Sequence, residues 1–196
     1  ASGFITAITA KRRGKSVVIL EKKDRVLKKV LTTGNGRCNY TNVTANIKNY
    51  YGQNIEKVEH ILNSFTPDDT IKFFQEIGIE PKFRDKGKAY PMSDQASSVV
   101  DALRFEAEKL EVEIVTSIDV RDFKKEGDKF AITSTDGQKY TAKKIVMSTG
   151  GKSYPELGSD GKGFEIVKKL GHKVTDLKPA LVQLKTDKEA VKGMQG

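Results

Sequence analysis

The sequence predicts an α/β fold, a parallel sheet with helices against it that also carries a three-stranded antiparallel meander. Three observations lead there. A small-residue helical stretch, Ala1 to Gly14, runs into the β-branched run Ser16-Val17-Val18-Ile19-Leu20, which closes on Glu21. Helix, glycine, buried strand and acid, in that order, make half of a βαβ unit. Residues 118–142 then alternate apolar and polar around two turn signals, Glu126-Gly127-Asp128 and Asp136-Gly137, which reads as a meander. Finally, Lys144-Ile145-Val146-Met147-Ser148 resumes the buried-strand pattern and stops at Thr149-Gly150-Gly151.

Each element has its own signal. Gly14 closes the first helix. That helix has no start signal before it, so the chain is expected to lack its true beginning. From Lys22 to Tyr51 neither a period of 2 nor one of 3.6 holds, and Gly34-Asn35-Gly36-Arg37-Cys38-Asn39 marks a tight polar loop. Ile55, Val58, Ile61 and Leu62 have helical spacing. The next helix has Thr66 as cap and Pro67 as first residue, buries Ile71, Phe73, Phe74 and Ile77, and ends at Gly78. A third runs from Ser93 to about Leu110, burying Ala96, Val99, Val100, Leu103, Ala107 and Leu110. Val112 to Val115 is a strand, and a last helix covers Gly163 to Leu170, ended by Gly171. Ala180-Leu181-Val182-Gln183-Leu184 begins a further apolar element.

Composition narrows the classes. Of 196 residues, 37% are hydrophobic and 31% charged, which places the chain among globular proteins. No apolar run approaches the ~18 residues of a membrane span, and no export signal opens the chain; a cytoplasmic protein without a membrane partner is expected. The single cysteine, Cys38, excludes an internal disulfide and fits a reducing compartment. With only His60 and His172 beside it, no zinc pattern forms, and no metal is expected. Lys and Arg outnumber Asp and Glu by 35 to 26, a net +9 that suits a polyanion or a phosphorylated ligand. The excess is spread over scattered lysine pairs without interleaved aromatics, so a nucleic-acid partner is not expected.

Three constellations have chemical potential. Glu21 lies eighteen residues after Gly3, a spacing that suits an acid taking ribose hydroxyls when the glycine sits by a pyrophosphate; the plain alternative is a solvated strand end. The Gly34–Asn39 loop suits a phosphate or planar-ring cradle, or is an ordinary glycine turn with a surface arginine. Cys38 has no nearby histidine to activate it and reads as a packed thiol. Thr149-Gly150-Gly151 closes a buried strand, where ligands collect in open parallel sheets, or is a tight turn.

Taken together, Ala1-Ser2-Gly3 with its helix, Val17 to Lys22, Lys29-Val30-Leu31-Thr32-Thr33-Gly34-Asn35-Gly36-Arg37-Cys38-Asn39-Tyr40-Thr41-Asn42, the meander, and Ser148 to Pro155 with Gly158-Ser159-Asp160-Gly161 resemble one family. It is that of the bacterial NAD(P)/FAD-dependent oxidoreductases of the aminoacetone-oxidase-like type, which includes the bile-acid-pathway flavoprotein. The resemblance runs through essentially the whole chain and is most specific in the Gly34 to Asn42 string. It implies an incomplete Rossmann-like FAD-binding domain over residues 1–180, lacking its first strand, and the start of an inserted β-rich domain over 181–196.

The resemblance also implies roles. Ser2 and Gly3 would lie by the FAD pyrophosphate, and Glu21 would take the adenosine ribose with Lys22 beside it. Thr33, Gly34, Gly36, Arg37, Cys38 and Asn39 would wrap the pyrophosphate and flavin side. Val120 would meet adenine through its backbone, and Thr149, Gly150 and Gly151 would run past the cofactor. The implied activity is oxidation or reduction of a small molecule by FAD, with NADH or NADPH as donor and no side chain assigned a catalytic role. With the first strand and two fingerprint glycines absent, weak or no FAD binding is expected. The rival class is a basic, non-catalytic module for RNA or another polyanion.

Overall fold

The computed structural model describes residues 1–52, 54–179, 186, 187 and 189–193. Its elements are α1 (Ser2–Arg12), β1 (Val18–Leu20), β2 (Thr41–Asn42), α2 (Ile55–Ser64), α3 (Pro67–Glu76), β3 (Pro81–Arg84), β4 (Lys88–Pro91), α4 (Ala96–Lys109), β5 (Glu113–Val115), β6 (Val120–Glu126), β7 (Lys129–Ser134), β8 (Lys139–Ala142) and α5 (Lys162–Lys169). The α/β expectation holds: β1 pairs in parallel with β5, Val18 opposite Glu113 through Leu20 opposite Val115.

The boundaries follow the local signals. Gly14 adopts a φ of 69°, and its N–H reaches Lys11 O at 2.8 Å while Lys15 N–H reaches Ala10 O at 3.0 Å, satisfying carbonyls that the end of α1 leaves open. At the start of α3, Asp69 N–H donates to the Thr66 hydroxyl at 3.2 Å and the Asp69 carboxylate accepts from Thr66 N–H at 2.8 Å, a reciprocal cap.

Two cores flank β1. One gathers Phe4, Ala7 and Ile8 of α1 against Val99, Leu103 and Ala107 of α4, with Phe74 of α3, and takes in the partly buried Ile19. The other joins Phe123 and Ile132 of the meander to Ile166 of α5 and takes in Leu20. Adjacent residues of β1 thus feed opposite cores, as a strand covered on both faces must. The order β6-β7-β8 with antiparallel pairing matches the expected meander.

Two segments differ from expectation. Residues 144–148 form no ladder among the described residues: Ile145 and Met147 pack on the second core, but Val146 is 62% exposed. Apolar alternation sets which side chains face inward, yet a strand also needs a hydrogen-bonding neighbour, and among the described residues β1 pairs only with β5. Conversely, part of the supposed loop 22–51 is β2, which joins the hairpin β3–β4 in a second antiparallel sheet of order β2-β4-β3. The apolar residues at 180–184 lie outside the described residues. No helix among the described residues is long and apolar enough to cross a membrane.

Candidate functional site

At the carboxyl end of β1 the chain turns sharply. The Glu21 carboxylate accepts from Lys23 N–H at 2.9 Å, and the Glu21 carbonyl accepts from Ile118 N–H at 2.9 Å, which lashes this corner to the segment leading into β6 and Val120. Lys22 extends to Asp160 at 2.6 Å and Asp119 at 3.5 Å. Lys162 grips the same Asp119 through both carboxylate oxygens at 2.9 Å. The hydrogen bond to Asp160 holds the Lys22 ammonium above its ordinary pKa, and the same bond holds the Asp160 carboxyl below the usual range. Lys29 adds a second tie, donating to Ser153 O at 2.9 Å and to the hydroxyls of Ser153 and Ser159 at 3.0 Å.

These contacts bring three predicted segments to one edge. A Cβ added to Gly3, in the first turn of α1, would lie 3.2 Å from Ser148 Cβ, so the helix start passes close to the segment ending in Thr149-Gly150-Gly151. Gly150 has a φ of 74°, and a Cβ there would stand 2.8 Å from the Ser159 hydroxyl. At Gly163, in the first turn of α5, a Cβ would overlap Thr149 Oγ1 at 2.1 Å. Backbone is therefore exposed beside the N-terminus of α1, where free amides and the helix dipole favour an anion. The cradle suits the phosphates of a dinucleotide, with Glu21 placed at the strand end.

The Gly34–Asn39 loop lies on the α4 side. Gly34, Asn35, Gly36 and Cys38 all have positive φ, between 54° and 79°, and the Thr33 carbonyl accepts from Gly36 N–H at 3.1 Å and Cys38 N–H at 2.9 Å. Left-handed residues in succession curl the backbone into the kind of concavity that binds anions. A Cβ on Gly34 would meet Asn39 N at 2.8 Å and the Tyr90 ring at 3.1 Å. Gly36 O accepts from Ala96 N–H of α4 at 2.8 Å. Arg37 donates from Nε to Gly34 O at 3.3 Å and lies over Tyr90, 5.9 Å from its centroid.

The side chains of this loop divide. Cys38 is 6% exposed, in the first core, and burial pushes its thiol pKa up; it is a packed, protonated thiol rather than a nucleophile. Tyr40 follows it inward, against Phe74 at 4.7 Å between centroids, and burial raises its phenol to about 12. Its hydroxyl is buried without a partner among the described residues.

Sequence reading missed Lys29, Asp119 and Lys162, whose partners stand far away in the chain. It also overlooked a basic cluster interleaved with aromatics, Lys82-Phe83-Arg84-Asp85-Lys86-Gly87-Lys88-Ala89-Tyr90, because the segment carries no strong element signal. No cluster of metal-ligating residues occurs among the described residues.

The family described as HI0933-like protein Rossmann domain matches residues 1–191. The 3-dehydro-bile acid delta(4,6)-reductase of Clostridium scindens is 40% identical over 190 residues, 96% of this chain and 46% of that protein. The ribosomal RNA dihydrouridine synthases of Escherichia coli and Haemophilus influenzae are 28% and 27% identical, over 48% and 46% of their lengths. The chain thus spans about half the length of the curated relatives it matches. A solved structure, the Diels-Alderase PyrE3 of pyrroindomycin biosynthesis, superposes loosely, with a TM-score of 0.45 at 17% identity over 78% of this chain and 31% of that one. The match across almost the whole chain, together with the parallel pair, its strand-end acid and its glycine-opened helix start, makes this chain a member of the HI0933-like Rossmann-domain family.

Proposed function

We propose that this chain is the dinucleotide-binding part of an FAD-dependent oxidoreductase that draws electrons from NADH or NADPH and acts on a small molecule. The observation that supports the reading is that the helix start at Gly3 packs against Ser148, next in the chain to Thr149-Gly150-Gly151, while Lys22, next to the strand-end Glu21, pairs with Asp160. Membership of a Rossmann-domain family and 40% identity to a protein named as a reductase support it. When bound, the flavin supplies the redox chemistry.

The residues of the chain would bind and orient. Amides of Ser2 and Gly3 would face the pyrophosphate, Glu21 would accept from the ribose, and the Val120 backbone would border the adenine. The left-handed turns at Gly34 and Gly36 would present backbone to the other half of the cofactor, with Thr33 and Asn39 at the loop ends and Arg37 offering positive charge. Cys38 would act from the core by fixing the loop.

Incubation of the chain with FAD followed by difference absorption between 350 and 500 nm tests this. A saturable, structured flavin band that weakens at least about tenfold in affinity in Glu21→Ala supports the reading, since a hydrogen bond to a charged group contributes about 1.5–3 kcal/mol. A saturable band of identical affinity in the variant counts against it.

A further inference from the structure

The hairpin β3–β4 carries a groove of about 520 Å³ lined by Arg37, Lys82, Phe83, Arg84, Lys88 and Tyr90, with Asp85 at its rim. Register explains the grouping. Lys82 stands opposite Tyr90 and Arg84 opposite Lys88, so these four share one face of the ladder. The Tyr90 ring is flanked by two guanidinium groups, Arg84 at 5.4 Å and Arg37 at 5.9 Å from its centroid. Phe83 belongs to the alternate set, yet it is 55% exposed at the outer edge of β3.

The cations are fixed but not used up. Asp94 pairs with Lys82 and, at 2.7 Å, with Arg84 Nη2. One carboxylate thus holds two cations in place, and the other N–H groups of both remain open among the described residues. Arg37 gives only Nε to Gly34 O. Lys86 and Lys88 are exposed and make no ion pair among the described residues. The turn between the strands is braced: the Thr44 hydroxyl contacts Lys86 O at 3.1 Å, and Gly87 sits where a Cβ would lie 2.7 Å from Thr44 Cγ2. Among the described residues the surface therefore gathers five cations, three of them held in place, against two carboxylates, Asp85 and Asp94.

We propose that this hairpin is a docking surface for single-stranded RNA, with phosphates on Lys82, Arg84, Lys86 and Lys88 and a base stacked on Phe83. Phe83, an exposed ring at the margin of this cationic groove, is the kind of element on which a strand with unstacked bases stacks. The cations continue from the groove around the hairpin tip, which matches repeated phosphates better than a single phosphate group. This surface goes beyond the proposed oxidoreductase activity and stands whether or not the chain takes flavin.

Fluorescence anisotropy with a labelled oligouridylate, without FAD, tests it as salt is raised from about 50 to 200 mM. The expected result is a steep linear fall of log affinity with log salt. In Lys86→Gln/Lys88→Gln the slope should shrink by about 1.4, at about 0.7 per phosphate contact on a single strand. Phe83→Ala should weaken binding by about five- to 150-fold through lost stacking, and Phe83→Leu, which keeps apolar bulk without a π face, should weaken it too. Absence of binding at low salt, or an unchanged slope in the lysine variant, overturns the proposal. So does full affinity in Phe83→Leu, which indicates charge alone, or equal competition by free uridine monophosphate, which indicates a small-molecule site. None of these outcomes bears on flavin affinity, which is measured on the Glu21 variant.

Discussion

Gly34 shows how a single residue fixes the candidate site. Its φ of 56° excludes most side chains, and an added Cβ would press on a backbone nitrogen that cannot rotate away. Gly34→Ala should therefore cost more stability than the ~1–2 kcal/mol of a left-handed alanine alone. Gly137→Ala should cost about that penalty, because Gly137 has φ 88° and nothing within 4 Å of the added atom. Parallel thermal melts compare the two, and equal losses would show that the loop gives way. Cys38 offers a second check. Its buried thiol has a raised pKa, so alkylation by iodoacetamide near the ordinary thiol value of about 8.5 should be slow in the folded chain and fast in denaturant; equal rates would place the thiol at the surface. The sequence already pointed to the positive-φ glycines and to a packed cysteine. It could not show Lys22 bound to Asp160, since that pairing exists only once 138 positions of chain are folded together.

Among the elements, α1, α3 and α4 meet at Arg12. Its guanidinium reaches Glu106 at 2.7 Å and Glu76 at 3.0 Å and lies 5.5 Å from the Phe73 centroid, while Glu106 is only 9% exposed. Arg12→Met leaves the buried Glu106 with only Lys109, at 3.7 Å, as a cation among the described residues and should lower stability by about 1–3 kcal/mol, whereas the adjacent Arg13→Met should change it by less than about 0.5. Urea titrations of both variants test the difference. The helices were legible because their caps and apolar stripes are local: Thr66-Pro67, Gly78 and the Val99-Leu103-Ala107 face needed no knowledge of partners. The sheets were less so. Residues 144–148 have a strand's alternation but no ladder, and β3–β4 has a ladder without an obvious strand pattern, since Lys82, Arg84 and Lys88 crowd one face. Hydrogen-bonded pairing is a tertiary property that alternation alone does not determine.

For the molecule as a whole, ion pairs and hydrogen bonds to carboxylates set a pH response. Asp160, Asp94 and Asp136 are held below the usual carboxylate pKa, by Lys22, by Lys82 with Arg84, and by Ser134 with Gln138. A depressed folded pKa contributes stability that is present above the unfolded value of about 3.9 and lost as pH falls through the lower folded value. Cys38 and Tyr40 are raised, so their contribution is present below their unfolded values and fades as pH climbs past them. The melting temperature should thus form a plateau around neutrality with an acid fall below about pH 4, and Asp160→Asn should soften that fall; an identical acid limb would remove Lys22–Asp160 from the reading.

The dinucleotide reading places Gly3, Glu21, Gly34 to Asn39 and Thr149 to Gly151 around one ligand, although they are scattered along the chain. Amide-resolved NMR during a titration with FAD addresses that directly, because even weak binding moves the resonances of contacting residues. Saturable shifts concentrated at these amides and at Val120 are the expected result. Shifts absent there, or gathered instead on the β3–β4 hairpin or α2, would contradict it.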